Sequence, residues 1–511
     1  MDFVQSNLLT LLVFSPLAGA ALIALWPAGQ VRTIRWLAFV ASLVPLGLAL
    51  DLWLRFNRAA AAATGFLFVQ DIPWYPAIGA SYHVGVDGIS LAMVLLTALL
   101  TPLAVLISFS IKDRVRTYMA LFLALETGLL GVFVSLDFLL FFIFWEIGLV
   151  PMYFLINQWG GPNRRYASLK FFLYTMGGSL GMLLSAQVIS FLLGTWDITR
   201  WATEWPAFTG TVFGIPATTV RMFTFWAFLI AFAIKVPVWP FHTWLPDAHT
   251  EAPTAGSMLL AGVLLKLGAY GFLRIVLPVF PVEFQANALT VAVLALLAII
   301  LGALASFGVD DFKRLVAYSS VNHMGFVILG VAVAAYARSY EQWDMARITA
   351  VNGAVLQMFN HGLSAAAMFA LVGVVYERTH TRDLNAYGGL WTIAPVYGAI
   401  LIFSAMSSLG LPGLNGFVSE YLVVSGSWPV MPVIVALAMF GLLMTGAYIL
   451  KAVRMVLHGP VNPAWQRTPG MEINLRETVA LVPLLVLMLA IGLWPRLILD
   501  VINLTVSRLV G

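Results

Sequence analysis

The sequence predicts an all-α polytopic membrane protein with about 14 transmembrane helices, and three observations support this. The 511 residues are 61% hydrophobic and only 10% charged, whereas soluble domains carry about 25% charged residues. Apolar runs of about eighteen residues or more, enough to cross a bilayer, recur along the whole chain. Two of these runs are interrupted, one at Pro237 and Pro240 and the other at Pro412 and Gly413, which predicts two discontinuous helices.

Fourteen spans follow one another along the chain. We expect spans 7 and 12 to be the discontinuous helices. The longer segments between spans are rich in Pro, Gly, Trp or charge, and we expect them to be loops at the membrane surface. The expected spans are 8–26, 34–54, 88–111, 118–135, 138–158, 166–194, 222–244, 254–278, 286–308, 314–334, 348–376, 394–427, 429–457 and 477–495.

The two interrupted spans lie five spans apart. Because five is odd, a repeat of five helices returns with inverted topology, and interrupted helices at matching positions indicate a transport site near the middle of the membrane. We therefore expect two inverted five-helix repeats, spans 4–8 and spans 9–13. The expected units are helices 1–3 (1–117), the first repeat (118–278), the second repeat (279–457) and the C-terminal helix 14 (458–511).

The orientation of the chain follows from its basic residues. Of the 27 Lys and Arg residues, sixteen lie in loops on one side, nine lie in loops on the other, and Lys235 and Lys266 lie within spans. Cytoplasmic loops carry the excess of Lys and Arg. The count therefore predicts that both chain ends lie on the outer side.

The composition also excludes several kinds of site. The chain contains no cysteine, so it has no disulfide and no thiolate-held zinc or iron–sulfur centre. Its net charge of +4 is not concentrated in a long basic run, so nothing indicates nucleic-acid binding. No phosphate-binding glycine loop or nucleophile elbow is present. We expect this chain to hold no cofactor and no metal.

Five charged residues lie deep within the predicted spans. They are Glu126, Glu146, Lys235, Lys266 and Glu420. A charge at the bilayer centre costs roughly 2.5–3.5 kcal/mol on insertion scales, and such residues commonly mark ion or proton pathways. Lys235 precedes Pro237 by two residues, so it adjoins a helix break. We interpret Glu146 and Lys235 as a pair in which moving one partner changes the proton occupancy of the other. The alternative is that the pair only holds two helices together.

Three histidines are candidates for proton relay between these charges. They are His242, just after the break in span 7, His323 in span 10 and His361 in span 11. The ordinary pKa of histidine is about 6.5, which suits proton exchange near neutral pH. The alternative for each is a structural hydrogen bond to a neighbouring backbone carbonyl.

Other ionisable residues are less informative. Glu126 has no break or proline beside it, and its functional and structural interpretations stay equally open. Asp247, His249 and Glu251 cluster at the end of a span, where we expect helix capping rather than metal binding.

Several motifs together resemble one membrane family. They are FWEIGLVPMYFLI, KVPVWPFHTWLPDAHTEAPTAGSMLLAGVLLKLGAYG, SSVNHMGF, FNHGLSAAAMF and LGLPGLNGFVSE. This combination resembles the antiporter-like membrane subunits of respiratory complex I, the proton-pumping NADH:quinone oxidoreductase, which in turn resemble subunits of multisubunit sodium/proton antiporters. Within the family, L-type chains carry a long lateral helix and a further span, and L-type and N-type chains usually place Lys in span 12. Glu420 in that position resembles the M type, which is called subunit 4 in mitochondria.

The resemblance implies a proton-translocating subunit in a bacterial cytoplasmic (inner) membrane. Glu146 and Lys235 would form the switchable pair, Lys266 the central relay and Glu420 the carboxylate of the second half. His242, His323 and His361 would lie along the same hydrated axis. NADH, FMN, iron–sulfur clusters and quinone would be bound by partner subunits, with L-type and N-type chains and lipids as neighbours. The alternative is a subunit of a multisubunit sodium/proton antiporter or of a membrane-bound hydrogenase.

Overall fold

A computed structural model of the protein describes residues 6–511 except 467 and 469. Arg467, one of the basic residues counted above, therefore lies outside the described part. Within it, thirteen helices are long and apolar enough to cross a membrane. They are Leu8–Leu25, Val31–Arg55, Gly88–Ser110, Val115–Val134, Phe138–Trp159, Arg164–Leu193, Ala217–Lys235, Thr254–Val279, Pro281–Gly308, Phe312–Tyr336, Glu341–Thr379, Pro432–Leu457 and Leu475–Leu493.

Span 12 is the fourteenth crossing and consists of two shorter helices, Pro395–Leu409 and Asn415–Ser427. Gly410 ends the first half in the left-handed conformation, with φ +85°, which glycine adopts without a steric penalty. The prediction of about 14 spans with a discontinuous span 12 is confirmed. The division of the chain at residues 117, 278 and 457 stays a prediction.

Span 7 is discontinuous as well. Its helix ends at Lys235, and a short helix follows at Trp244–Glu251. Pro237 has no N–H to continue the hydrogen-bond ladder, which leaves carbonyls at the broken end without helical partners. The indole Nε1 of Trp244 donates to one of them, the Ile234 carbonyl, at 2.8 Å. The break is therefore stabilised by a side chain from the segment that follows it.

The segments between spans contain more structure than the sequence indicated. Strands β1 (Leu67–Tyr75) and β2 (Ala80–Val86) form an antiparallel hairpin, and β3 (Thr211–Val212) pairs with β4 (Ile215–Pro216). Both hairpins lie on the face that the charge count assigns to the outside, here called the outer face. The helices outside the spans are Arg58–Thr64, Ile198–Ala207, Leu390–Ile393, Pro463–Gln466 and Arg496–Val510.

Spans 8 and 11 form the centre of the molecule and are completely buried at their most apolar stretches, whereas only 28% of the most apolar stretch is buried in spans 2 and 6. Span 11 packs closely against the second half of span 12. A Cβ atom added at Gly353 would lie 2.5 Å from the Val423 backbone nitrogen, so only glycine allows this approach. The close packing brings side chains of span 11 within hydrogen-bonding distance of the resumed helix.

Candidate functional site

Lys266 lies in the middle of span 8 and is fully buried. The helix is not regular there, because residues Leu260–Leu264 and Phe272–Val276 form π-helical turns. Such turns often occur at functional sites and change which carbonyls are available. Lys266 Nζ donates to the Ala261 carbonyl at 2.5 Å and lies 2.7 Å from Nδ1 of His361. The structure thus joins the central lysine directly to span 11.

His361 and His323 continue the same chain of polar groups. Their ring centroids are 5.5 Å apart. His323 Nδ1 lies 2.7 Å from Glu420 Oε1, and its Nε2 lies 3.4 Å from the Tyr448 hydroxyl. A cavity of about 10 Å³ borders both histidines, which is room for about one water molecule. Lys266, His361, His323 and Glu420 therefore form a nearly continuous buried row across spans 8, 11, 10 and 12, here called the central row.

Glu420 is held in place from span 11. Its Oε1 also accepts a hydrogen bond from Gln357 Nε2 at 3.0 Å, and the Ser419 hydroxyl donates to Gln357 Oε1 at 2.5 Å. Glu420 Oε2 has no hydrogen-bond partner among the described residues. It faces the helix break, since a Cβ atom added at Gly410 would lie 3.4 Å from it. One carboxylate oxygen is thus fixed, and the other points at the interruption of span 12.

Glu146 and Lys235 are neighbours without an ion pair. Lys235 is 1% exposed, and its Nζ lies 4.7 Å from the ring centre of Trp145, a cation–π contact. The Trp145 Nε1 donates to the Ser179 hydroxyl at 2.9 Å. Neither oxygen of Glu146 nor Nζ of Lys235 has a hydrogen-bond partner among the described residues, so no hydrogen-bonded ion pair joins the two side chains. The two charges are nevertheless close enough to act on each other.

His242 and Glu126 are not joined to the central row by a hydrogen bond. His242 is half-buried in the break of span 7, with its ring centroid 6.3 Å from that of Tyr318. Glu126 is fully buried in span 4, and both its oxygens are without hydrogen-bond partners among the described residues. Thr101 of span 3 is a polar neighbour of its carboxylate. The structure leaves both interpretations of Glu126 open.

The group Asp247, His249 and Glu251 is not a single cluster. Asp247 binds Lys170 at 2.7 Å and Arg314 at 3.0 Å on the inner face. The Glu251 carboxylate accepts the backbone N–H of residue 163 at 2.9 Å. His249 is instead fully buried, and neither ring nitrogen has a hydrogen-bond partner among the described residues. Helix capping, expected from the sequence, does not describe His249, because its ring points into the protein.

Lys313 is a buried lysine, although its place in the sequence puts it among the sixteen basic residues expected in loops on one side. It lies at the inner end of span 10, is 6% exposed, and donates from Nζ to the Ala252 carbonyl at 2.5 Å. Its position one residue inside the helix made it look like an ordinary interfacial residue. A signal was present in the sequence, since Asp310 and Asp311 lie three and two residues before it, but their spacing does not reveal burial.

A cluster of polar residues lies on the outer face, outside the spans. It consists of His83, Asp71, Asp137 and Asp197 and is here called the His83 cluster. His83 on β2 is 8% exposed, and its Nδ1 lies 3.5 Å from Asp197 Oδ2. Burial by itself lowers the pKa of His83, but the polar contact and charge of Asp197, with the charges of Asp71 and Asp137, outweigh it and raise the pKa above its ordinary value. Backbone bridges join Val84 to residue 135 and Asp137 to Asp197. The hairpin is thereby fixed to the outer ends of spans 4, 5 and 6.

The central row can pass protons. Imidazole accepts a proton on one nitrogen and releases one from the other, and lysine and glutamate at its ends each exist with or without a proton. Within the described residues, no group of three or more His, Asp or Glu side chains could hold a metal ion. The arrangement is suited to moving single protons between groups buried at mid-membrane.

Comparison with known proteins gives consistent matches over the whole chain. The family described as NADH:quinone oxidoreductase/Mrp antiporter, TM, matches residues 135–445. NADH-quinone oxidoreductase subunit M of Rhodobacter capsulatus is 40% identical over 513 positions, covering 99% of this chain and 97% of that protein. A chain of respiratory complex I from Thermus thermophilus with bound NADH superposes with a TM-score of 0.84 at 28% identity, covering 98% of this chain and 100% of that one. A chain of the Mrp complex from Dietzia sp. DQ12-45-1b is similar in fold, with a TM-score of 0.82 at 21% identity over 99% and 97% of the two chains.

Proposed function

Because the chain belongs to the family of NADH:quinone oxidoreductase and Mrp antiporter membrane subunits, we propose that it is the proton-translocating M-type membrane subunit of an NADH:quinone oxidoreductase. It lies in the bacterial cytoplasmic membrane, next to other antiporter-like subunits of the membrane arm. The redox cofactors are carried by other subunits. NADH, FMN, iron–sulfur clusters and quinone are the cofactors expected there, and L-type and N-type chains are the expected neighbours.

The observation that carries this proposal is the central row. Lys266 contacts His361 at 2.7 Å, and His323 contacts Glu420 at 2.7 Å, with the two histidine rings 5.5 Å apart. A proton leaving Lys266 passes to His361, then to His323 and then to Glu420. At Glu420 the unpartnered Oε2 faces the break in span 12, where irregular backbone allows water to approach. Glu420 therefore exchanges protons with the break.

Glu146 and Lys235 control loading of the row from the first half of the chain. Lys235 lies at the last helical residue before the break in span 7, so a small movement of the broken segment changes its distance to Glu146. When Glu146 approaches, the charged form of Lys235 is stabilised. When Glu146 withdraws, burial favours release of the proton. Energy from electron transfer in other subunits drives this alternation through neighbouring membrane subunits.

The test uses the assembled complex in inverted membrane vesicles. Lys266→Met and Glu420→Gln are expected to abolish or severely reduce proton uptake driven by NADH and quinone, since removal of a proton-transfer group costs roughly a hundredfold or more. NADH oxidation by an artificial acceptor upstream of the membrane is expected to persist. Ser427→Ala is the matched control, because Ser427 is buried in the same half-helix as Glu420 but lies outside the central row.

Two outcomes would contradict the proposal. One is a fully assembled Lys266→Met complex that pumps protons at the wild-type rate. The other is sodium/proton exchange, driven by a pH gradient alone and independent of NADH, that is lost in the same variants. That second result would favour the antiporter alternative, since an antiporter needs no electron donor.

A further inference from the structure

His249 is a buried titratable residue that the central row does not include. Its ring stacks on Phe369 of span 11, with centroids 4.3 Å apart and planes 7° from parallel. The Ser257 hydroxyl donates to its carbonyl at 3.2 Å, which fixes the backbone. The ring is thus held in one plane while both its nitrogens stay without hydrogen-bond partners among the described residues. A polar ring buried in this way costs free energy if it has only a packing role.

The charges of two lysines act on His249. It is within electrostatic reach of Lys313 toward the inner face and of Lys266 toward the middle of the membrane. The charge of His249 also acts on His361, which contacts Lys266. Phe369 is eight residues from His361 along span 11, or about 12 Å of helix. His249 therefore occupies the region between the central row and the inner end of the spans.

Lys313 connects this region to the inner face. It lines a cavity of about 210 Å³ together with Thr250, Glu251, Ala252 and Arg382, among others. A cavity of this size holds several water molecules. Lys313 is the only lysine that lines it within the described part of the chain. Arg382 and the carboxylates of Asp311 and Glu251 are the charged groups acting on it.

We infer that Lys313 and His249 form the inner entrance through which protons reach Lys266 and His361 from the cavity. Water in the cavity protonates Lys313, which passes the proton through intervening water to His249, and His249 passes it to the Lys266–His361 pair. Each group returns to its starting protonation state, so one proton enters the row for each one that leaves the cavity. This inference rests on the proposed function and names its uptake route.

The test exploits the absence of cysteine from this chain. In inverted vesicles the inner face and its cavity are accessible to reagents. Lys313→Cys is expected to lower NADH-driven proton uptake roughly tenfold or more. Aminoethylation of the cysteine restores an ammonium group and is expected to restore pumping. Methylthiolation adds a neutral group and is expected not to restore it. Wild-type vesicles receive both reagents, to account for cysteines in partner subunits.

Lys451→Cys is the matched control. Like Lys313, Lys451 lies at the inner end of a span and donates from Nζ to backbone carbonyls, those of Phe307 at 2.8 Å and Val309 at 3.0 Å. It does not line the cavity. Its replacement is expected to leave the pumping rate per assembled complex unchanged. His249→Phe keeps the stack on Phe369 and removes both nitrogens, and it is expected to slow pumping as Lys313→Cys does.

The outcomes separate the two proposals. The inference that Lys313 and His249 form the inner entrance would be wrong if Lys313→Cys or His249→Phe pumped normally. It would also be wrong if the charged and the neutral reagent restored pumping of Lys313→Cys equally. Loss that neither reagent repairs would show that Lys313 only clamps the Ala252 carbonyl, and would overturn it as well. Normal pumping in Lys266→Met would instead overturn the proposed function itself.

Discussion

The ammonium of Lys235 lies over the ring of Trp145, and Trp145 is the residue directly before Glu146. The ammonium of Lys235 therefore contacts the aromatic ring and is not hydrogen-bonded to the Glu146 carboxylate. A cation–π contact of a desolvated ammonium contributes about 2 kcal/mol, which is small enough to be exchanged for an ion pair. Under the proposed function, the Trp145 ring therefore stabilises the Lys235 ammonium while Glu146 is withdrawn.

This arrangement predicts an intermediate phenotype at Trp145. Trp145→Phe keeps a ring under Lys235 but loses the hydrogen bond to Ser179, so we expect a moderate loss of NADH-driven proton pumping. Trp145→Leu removes the ring altogether, and we expect a larger loss, comparable to the one expected for Glu146→Gln or Lys235→Ala. Pumping per assembled complex is the measurement. Equal pumping in the Phe and Leu variants would show that the ring contributes only volume.

Glu420 offers a second prediction. Glu420→Gln keeps an oxygen that accepts from Gln357, so we expect normal assembly, but it cannot release a proton and should impair pumping severely. Glu420→Asp keeps the titrating group at a shorter reach, and we expect it to retain part of the activity. Assembly on native gels and proton uptake by vesicles check both. A Glu420→Gln complex that pumps normally would reduce Glu420 to a packing residue.

The His83 cluster predicts that the stability of the outer hairpin depends on pH. Because the folded protein raises the pKa of His83, its protonation stabilises the hairpin fully below its ordinary pKa of about 6.5, and this stability is lost as the pH rises through the raised value. We expect hydrogen exchange in β2 to become faster over that range by more than the intrinsic pH effect. His83→Gln should remove this additional increase in the exchange rate. His380→Gln, an exposed histidine of the inner face, is the control.

The orientation is tested by labelling. Single cysteines at Asn163 and Asp383 are expected to react with an impermeant reagent only from the cytoplasmic side, and one at Glu341 only from the opposite side. All three positions are exposed, so access is not limited by packing. Equal reaction of all three from one side would exclude the fourteen-span topology.

Much of the fold followed from hydrophobicity alone, because crossing lipid requires an apolar helix of fixed minimum length. Span 8, expected at 254–278, is Thr254–Val279, and span 12 resumes at Asn415 as the glycines and proline indicated. The outer hairpin escaped prediction, since β1 carries several exposed residues with no clean alternation. The helix Arg496–Val510 was not predicted either, because it is too short and too polar to be recognised as a membrane span.

Candidate members of the site could be selected from the sequence, but the contacts between them could not be predicted. Deep charges stand out because lipid penalises them, so Lys266 and Glu420 were visible in the sequence. That Lys266 meets His361, 95 residues away, depends on helix packing and on the π-helical turn at Leu260–Leu264, for which the sequence has no signal. His249 was misjudged because three residues beside a proline resemble a helix end, and burial depends on the neighbouring spans.

The distance between the rings of His361 and His323 limits how many protons the two histidines can hold at the same time. Two imidazolium rings 5.5 Å apart would repel each other by about 3 kcal/mol at an effective dielectric constant near 20. Double occupancy of this step is therefore suppressed more than a hundredfold. Under the proposed function, protons therefore cross this step one at a time.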